Sequence, residues 1–145
     1  KVRDATEWLC EGGFDAPTHP IELRVTYDDA CHLLHGQKVR IEPRKLIQSI
    51  PGLEYVEMRD SDWCCGSAGV YNILQPEISA DVLGRKMEHV AATEADIVVT
   101  ANPGCHLQLR VGVKQAGLPM RVMHLIELLD WSYRGVEPES SRMGR

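Results

Sequence analysis

Five cysteines occur in the chain, and two of them, Cys64 and Cys65, are adjacent and are followed by Gly66. Cys31 lies upstream of this pair and Cys105 lies downstream. Adjacent thiols are unusual as packing groups, because their side chains diverge on an extended backbone and a disulfide between them needs a strained peptide. Thiols from three separated parts of a chain are suitable ligands for zinc or an iron–sulfur cluster. We therefore expect these four cysteines to form one metal centre.

The residues themselves leave four interpretations of these thiols open. They could hold an iron–sulfur cluster, or they could fill a tetrahedral zinc site. They could also include a dithiol redox pair, although no C-x-x-C spacing is present, or they could be buried packing groups. Packing explains neither the adjacent pair nor its position after a strand. Cys10 lies beside Leu9 in the first predicted helix, and we expect it to be a packing residue.

Predicted strands and helices alternate along the chain. Strands are predicted at 21–27, 55–58, 96–100 and 121–124, and helices at 2–11, 42–50, 77–94, from the 102–104 turn to about 115, and 125–133. This order predicts a three-layer α/β fold, with about four mostly parallel strands and helices on both faces. Ligands of such sheets bind at the carboxyl ends of the strands. Each cysteine motif follows a predicted strand, so we expect their sulfurs to converge at one edge.

The longest predicted helix, 77–94, is amphipathic and follows a predicted loop over 59–75. Its core-facing residues are predicted to be Ile78, Val82, Leu83, Met87 and Val90. We expect one domain over 1–134, followed by a polar, flexible tail over 135–145.

Composition narrows the classes of function. Hydrophobic residues make up 43% of the 145-residue chain and charged residues 26%, as in a globular domain with a full core. The net charge of −5 and the lack of a basic stripe argue against nucleic-acid binding. No apolar run approaches the roughly 20 residues of a membrane span. An odd number of cysteines without a visible secretory leader favours a reducing, cytoplasmic compartment and metal binding.

Three segments together resemble the cysteine-rich CCG domain. They are 27–33, which contains Cys31-His32, then 64–69, which begins Cys64-Cys65-Gly66, and 102–105, which is Asn102-Pro103-Gly104-Cys105. This domain occurs in a subunit of heterodisulfide reductase, in lactate-utilisation iron–sulfur proteins and in the glycolate oxidase iron–sulfur subunit. The segments 71–72 and 75–77 point to the last of these. The resemblance extends over nearly all of residues 2–132.

The resemblance implies an iron–sulfur cluster, most simply of the 4Fe–4S type, with zinc as the alternative. Its implied ligands are Cys31, Cys64, Cys65 and Cys105, and the residues implied beside it are His32, Gly66 and Asn102. The implied function is to relay electrons from a flavoprotein partner that oxidises a 2-hydroxy acid. The implied setting is the C-terminal part of a longer iron–sulfur subunit, with only indirect membrane contact at the inner face. The rival functions are a zinc-stabilised docking module and a thiol/disulfide reductase.

One position departs from the family pattern. The last motif of the family is usually C-x-x-C, but Asn102 stands at its first position and only Cys105 remains. A smaller thiol set makes a simpler cluster or zinc more plausible. Asn102 could be an oxygen ligand or a helix N-cap, and the N-cap is favoured. His32, next to Cys31, is expected either beside the centre, without binding the metal directly, or on the surface.

Overall fold

The computed structural model describes residues 2–139. Four strands are formed by Arg24–Asp28 (β1), Glu54–Tyr55 (β2), Ile97–Thr100 (β3) and Arg121–His124 (β4). The α-helices are Ala5–Gly12 (α1), Ile41–Gln48 (α2), Tyr71–Leu74 (α3), Pro76–Ala91 (α4), Pro103–Gln115 (α5) and Leu125–Arg134 (α6). A π-helical segment, His32–Gln37, follows β1.

The four strands form one parallel sheet in the order β2-β1-β3-β4. The predicted three-layer α/β fold is confirmed, and every strand pair is parallel. The chain leaves β1 toward one edge of the sheet to form β2 and then crosses to the other side of β1 to form β3. The carboxyl ends of β1 and β3 therefore flank the point where the strand order reverses, which is where sheets of this kind bind ligands.

Alternating side chains of β3 supply the cores on the two faces of the sheet. Val98 faces the core formed with α4 and α5, which includes Leu83 and Leu109. Ile97 and Val99 face the opposite core. That second core is completed by α1, α2 and α6. A strand that is buried on both faces is rich in β-branched residues, as β3 is.

The structure differs from the sequence prediction in several places. The second strand covers only Glu54–Tyr55, because the chain leaves the sheet edge after pairing with Arg24 and Val25. The predicted loop over 59–75 contains the one-turn helix α3, and the π-helical segment was not predicted. Ile78 is 50% exposed because the buried stripe of α4 begins at its neighbour Ser79 and continues through Leu83, Lys86, Met87 and Val90, which leaves Ile78 outside it. The predicted buried position of Ile78 was therefore wrong.

The last residues of the domain are held against the sheet. Gly135 ends α6 in a left-handed conformation, and Glu137 forms an ion pair with Arg121 of β4. The remainder of the predicted tail, 140–145, lies outside the described residues. Within residues 2–139, none of the helices has the length and apolar character needed to cross a membrane.

Candidate metal centre

The fold carries three cysteine motifs toward the carboxyl edge of the sheet. Cys31 follows β1 and leads directly into the π-helical segment, a rare conformation that occurs frequently at functional sites. Cys64 and Cys65 follow β2, and Cys105 lies in the first turn of α5, after β3. All of these cysteines are free thiols.

Cys65 and Cys105 form a buried thiol pair. Their exposed fractions are only 3% and 7%, and both side chains belong to the core between the sheet, α4 and α5. The Cys105 thiol donates a hydrogen bond to the sulfur of Cys65, which lowers the pKa of Cys65 and raises that of Cys105. The two sulfurs therefore lie close together in the core. A cation that displaces their protons would be bound by two thiolates.

Cys31 and Cys64 are the half-buried members of the set. Burial raises the pKa of Cys64, and the neighbouring thiols Cys65 and Cys31 raise it further. Cys105 also interacts electrostatically with both Cys65 and Cys31. Residues 2–139 contain no group of three or more His, Cys, Asp or Glu side chains already placed around a common ion position. Only Cys65 and Cys105 of the candidate centre are therefore already in contact with each other, and Cys31 and Cys64 lie next to this pair.

Backbone N–H groups after the cysteine pair point at its sulfurs. The N–H of Gly66 donates to the Cys64 sulfur at 3.3 Å, and the N–H of Ala68 also donates to it. The N–H of Ser67 donates to the Cys65 sulfur. Such N–H groups stabilise thiolates and, at iron–sulfur centres, tune the reduction potential.

Gly66 occupies a position that has no room for a side chain. Its φ is +89°, and a Cβ atom there would lie 2.7 Å from the carbonyl oxygen of Ser79. The carbonyl of Gly66 accepts a hydrogen bond of 2.9 Å from the Ser79 hydroxyl, which itself accepts one of 3.0 Å from Gln108. The turn after the cysteine pair is therefore fixed against α4 and α5.

Asn102 caps α5, as favoured by the sequence. Its side-chain oxygen accepts a hydrogen bond of 3.0 Å from the N–H of Cys105, which holds the first turn that carries this thiol. Its amide nitrogen lies 3.5 Å from Nδ1 of His32. His32 is exposed, so the structure places it beside Asn102 at the rim of the centre.

Cys10 lies on the other side of the sheet. It packs at the edge of the core formed by α1, α2 and α6, and its sulfur is 3.8 Å from the carbonyl oxygen of Glu42. Burial raises the pKa of its thiol. Cys65 and Cys105 belong to the opposite core, so Cys10 is separated from the candidate centre by the sheet.

The sequence analysis missed a buried lysine, Lys86, next to the cysteine loop, which is the segment 60–66 that carries Cys64 and Cys65. Lys86 and Asp28 are each 1% exposed, and Nζ of Lys86 lies 2.7 Å from Oδ1 of Asp28. Burial raises the pKa of Asp28 to about 6, although the Lys86 ammonium opposes this rise. The signal was available, because Lys86 falls on the apolar stripe of α4 between Leu83 and Val90.

Asp29 holds the same loop from its other side. Its carboxylate accepts hydrogen bonds of 2.8 Å and 2.7 Å from Arg44, and one of 2.8 Å from the Ser61 hydroxyl. Arg44 also binds Glu57 through two hydrogen bonds of 2.9 Å and 2.6 Å. The two aspartates at the end of β1 therefore anchor the segment that precedes the cysteine pair, Asp28 through Lys86 and Asp29 through Arg44 and Ser61.

The sequence of the chain matches a known protein family. The model of the CCG cysteine-rich domain family matches residues 25–110, which include all four cysteines of the candidate centre. The chain belongs to this family. The resemblance to the CCG domain is therefore confirmed.

Three relatives show in which proteins such domains occur. The chain is 45% identical, over 89% of its length, to the probable glycolate oxidase iron-sulfur subunit of Bacillus subtilis. It is 42% identical, over 91% of its length, to a subunit of the CoM/CoB fumarate reductase of Methanothermobacter marburgensis. It is 34% identical, over 77% of its length, to lactate utilization protein A of Oceanobacillus iheyensis. The matched parts cover only 30%, 27% and 46% of those relatives.

Proposed function

We propose that this CCG domain bears an iron–sulfur cluster and relays electrons within an iron–sulfur subunit of the glycolate oxidase type. The observation that carries the proposal is the buried Cys65–Cys105 pair, which adjoins the two half-buried thiols of Cys31 and Cys64. The relationship to an iron-sulfur subunit at 45% identity supports iron–sulfur binding over other uses of the thiols.

The donor set fits such a group. Cys31, Cys64, Cys65 and Cys105 would supply the thiolates, and a cluster of the 4Fe–4S type needs four. The N–H groups of residues 66–68 would donate to the sulfurs, so Gly66 would act through its backbone. Asn102 and His32 would lie beside the cluster, where Asn102 fixes the turn that carries Cys105.

The role of the chain is to hold and shield the centre. When bound, an iron–sulfur cluster would supply one-electron transfer. Oxidation of a 2-hydroxy acid by a partner's flavin yields two electrons and two protons, and the cluster would allow the electrons to pass one at a time to an external acceptor. The buried thiols exclude water from one side of the site. The half-buried Cys31 and Cys64 leave the other side open toward a partner.

The proposed partners are a flavoprotein oxidase subunit and the remainder of a longer iron–sulfur subunit. The relatives are two to four times longer than the matched segment, since it covers 27% to 46% of their length. We propose a cytoplasmic location, with membrane contact only through the complex.

A zinc-stabilised docking module is the second candidate. The observation that favours it is the donor count, since four thiols complete a tetrahedral zinc site and the family's usual additional cysteine is replaced by Asn102. A zinc site of this kind stabilises the fold but transfers no electrons. A thiol reductase is less well supported, because the Cys105 thiol pairs with Cys65 deep in the core.

A kinetic experiment distinguishes electron relay from the zinc-stabilised docking module. It uses the complete iron–sulfur subunit assembled with its flavoprotein partner. Stopped-flow spectroscopy measures flavin reduction by the 2-hydroxy acid, and steady-state assays measure electron delivery to an acceptor dye. We expect Cys64→Ser to impair delivery much more than flavin reduction, and Cys10→Ser to change neither. An equal loss in both steps would contradict electron relay and favour the zinc module.

A further inference from the structure

Lys86 is a buried cation that the proposed centre does not use as a ligand. Its side chain is 1% exposed, and it sits on the core-facing stripe of α4 among Leu83, Met87 and Val90. Burying an ammonium is strongly unfavourable unless a counter-charge and hydrogen bonds compensate for its lost hydration. The Lys86 ammonium therefore needs a counter-charge and hydrogen-bond acceptors around it, and the residues that supply them indicate what Lys86 does.

The partners of Lys86 lie almost entirely in the backbone before the cysteine pair. Its Nζ donates to the carbonyl oxygens of Asp60 at 3.2 Å, Ser61 at 2.8 Å and Trp63 at 3.0 Å. These carbonyls surround the ammonium, and the Asp28 carboxylate at the end of β1 lies 2.7 Å away. The loop thus wraps a buried charge and ends at Trp63, immediately before Cys64.

A second side chain of α4 holds the loop after the cysteine pair. The Ser79 hydroxyl donates to the Gly66 carbonyl at 2.9 Å, seven residues before Lys86 and therefore on the same face of the helix. The Cys64–Cys65 segment is thus fixed at both ends by one helix, through Lys86 on its amino side and Ser79 on its carboxyl side.

We propose that Lys86 is a positioning residue of the cysteine centre, whose ammonium folds the 60–63 backbone around itself and thereby fixes where Cys64 and Cys65 present their sulfurs. The expected effect on the metal rests on the proposed metal-binding function. The folding of the 60–63 backbone around Lys86 rests only on the hydrogen bonds of the lysine itself. Only a side chain with several N–H donors and no acceptor can satisfy three carbonyls at once, which explains a lysine on an apolar stripe.

The test replaces the ion pair without leaving an isolated charge. Lys86→Met combined with Asp28→Asn removes both buried charges at nearly constant volume, so that neither charge is left unpaired, while the three carbonyls lose their donor. The control is Lys114→Met, which makes the same chemical change at an exposed position of α5. The free energy of unfolding in urea is measured first, so that the effects on the loop are compared at known stability.

Two readouts then follow the loop and the centre. In the metal-free chain, the amide hydrogens of Trp63 and Gly66 should exchange about tenfold or more faster in the double variant than in the control, because the carbonyls lose their hydrogen bonds to a charged donor. In the anaerobically reconstituted chain, iron release to a chelator should be ~10-fold to 100-fold faster. Both effects should appear even where the free energy of unfolding is retained.

The outcomes distinguish this inference from the proposed function. Unchanged exchange at Trp63 and Gly66 would overturn the positioning role, whatever metal is bound. Faster exchange with unchanged iron release would also overturn it, because the loop would then not matter to the centre. If the wild-type chain takes up no iron, the proposed cluster fails, while the exchange experiment still decides whether Lys86 holds the loop.

Discussion

The Ser79 hydroxyl donates a hydrogen bond of 2.9 Å to the carbonyl oxygen of Gly66. This bond joins α4 to the turn that follows Cys65. It is continued by Gln108 of α5, which donates to Ser79 at 3.0 Å and accepts from Asn72 of α3 at 3.2 Å. Three helices therefore converge on the turn of the CCG motif, and its stability depends on side chains that the motif itself does not contain.

Gly66→Ala is expected to destabilise the chain and to impair metal binding. The added Cβ would lie 2.7 Å from the Ser79 carbonyl at a φ of +89°, so both strain and overpacking apply, at a cost of about 3 kcal/mol. Gly69→Ala is the matched control, because φ there is +70° but no atom lies within 4 Å of the new Cβ. Urea unfolding should give a loss of about 1 kcal/mol for the control. Equal losses at the two positions would contradict the close contact at Gly66.

Asn102→Ala is expected to lower the free energy of unfolding by about 1 kcal/mol, because the N-cap of α5 is lost. Asn102→Ser should recover most of that stability, since serine is also a good N-cap. Iron content should stay close to the wild-type value in both variants. Loss of iron in Asn102→Ala would instead identify the side-chain oxygen as a ligand.

His32→Ala is expected to retain the metal and to shift the reduction potential of the centre. His32 is exposed and its Nδ1 lies 3.5 Å from the Asn102 amide, which places it beside the centre. His35→Ala, in the same π-helical segment, is the control and should have the smaller effect. Iron analysis and a redox titration check both variants. Complete loss of iron in His32→Ala would make this histidine a direct ligand.

Glu57→Gln is expected to lower the free energy of unfolding at neutral pH but not in acid. The hydrogen bonds from Arg44 lower the pKa of Glu57 below its ordinary value of 4.5. A depressed folded-state pKa gives stability that is present above the unfolded-state pKa and is lost as the pH falls through the folded-state value. Because Glu57 is half-exposed, the effect at pH 7 should be about 1 kcal/mol or less. Urea unfolding from pH 7 to pH 3 tests this, and a difference that stays constant with pH would refute it.

Sequence patterns predicted the parts of the fold that depend on local interactions. The β-branched run of β3 and the strand Arg121–His124 lie where the periodicity placed them. The N-cap at Asn102 was also recognisable, because it is a property of one turn. The π-helical segment after Cys31 was missed, since its backbone has no distinct sequence signal. A pattern also cannot reveal long-range partners, such as those that make a buried Lys86 possible.

The candidate site was predictable as a set of residues but not as a geometry. The strand-end rule alone places Cys31, Cys65 and Cys105 at one edge of the sheet. That Cys105 donates to Cys65 depends on how α5 packs against the cysteine loop, where Gly104 leaves room for Ser67. Close packing of this kind is a tertiary property that no local spacing encodes.

Binding of an iron–sulfur cluster through the four cysteines can be measured on the chain itself. The experiment is anaerobic reconstitution with iron and sulfide, followed by metal analysis and a visible absorption spectrum of the wild type, Cys65→Ser and Cys10→Ser. We predict a broad brown absorption that bleaches with reductant in the wild type and in Cys10→Ser, and its loss together with reduced stability in Cys65→Ser. A colourless wild-type chain that is replete with zinc, or a cluster that persists in Cys65→Ser, would show that the four cysteines do not hold an iron–sulfur cluster as proposed.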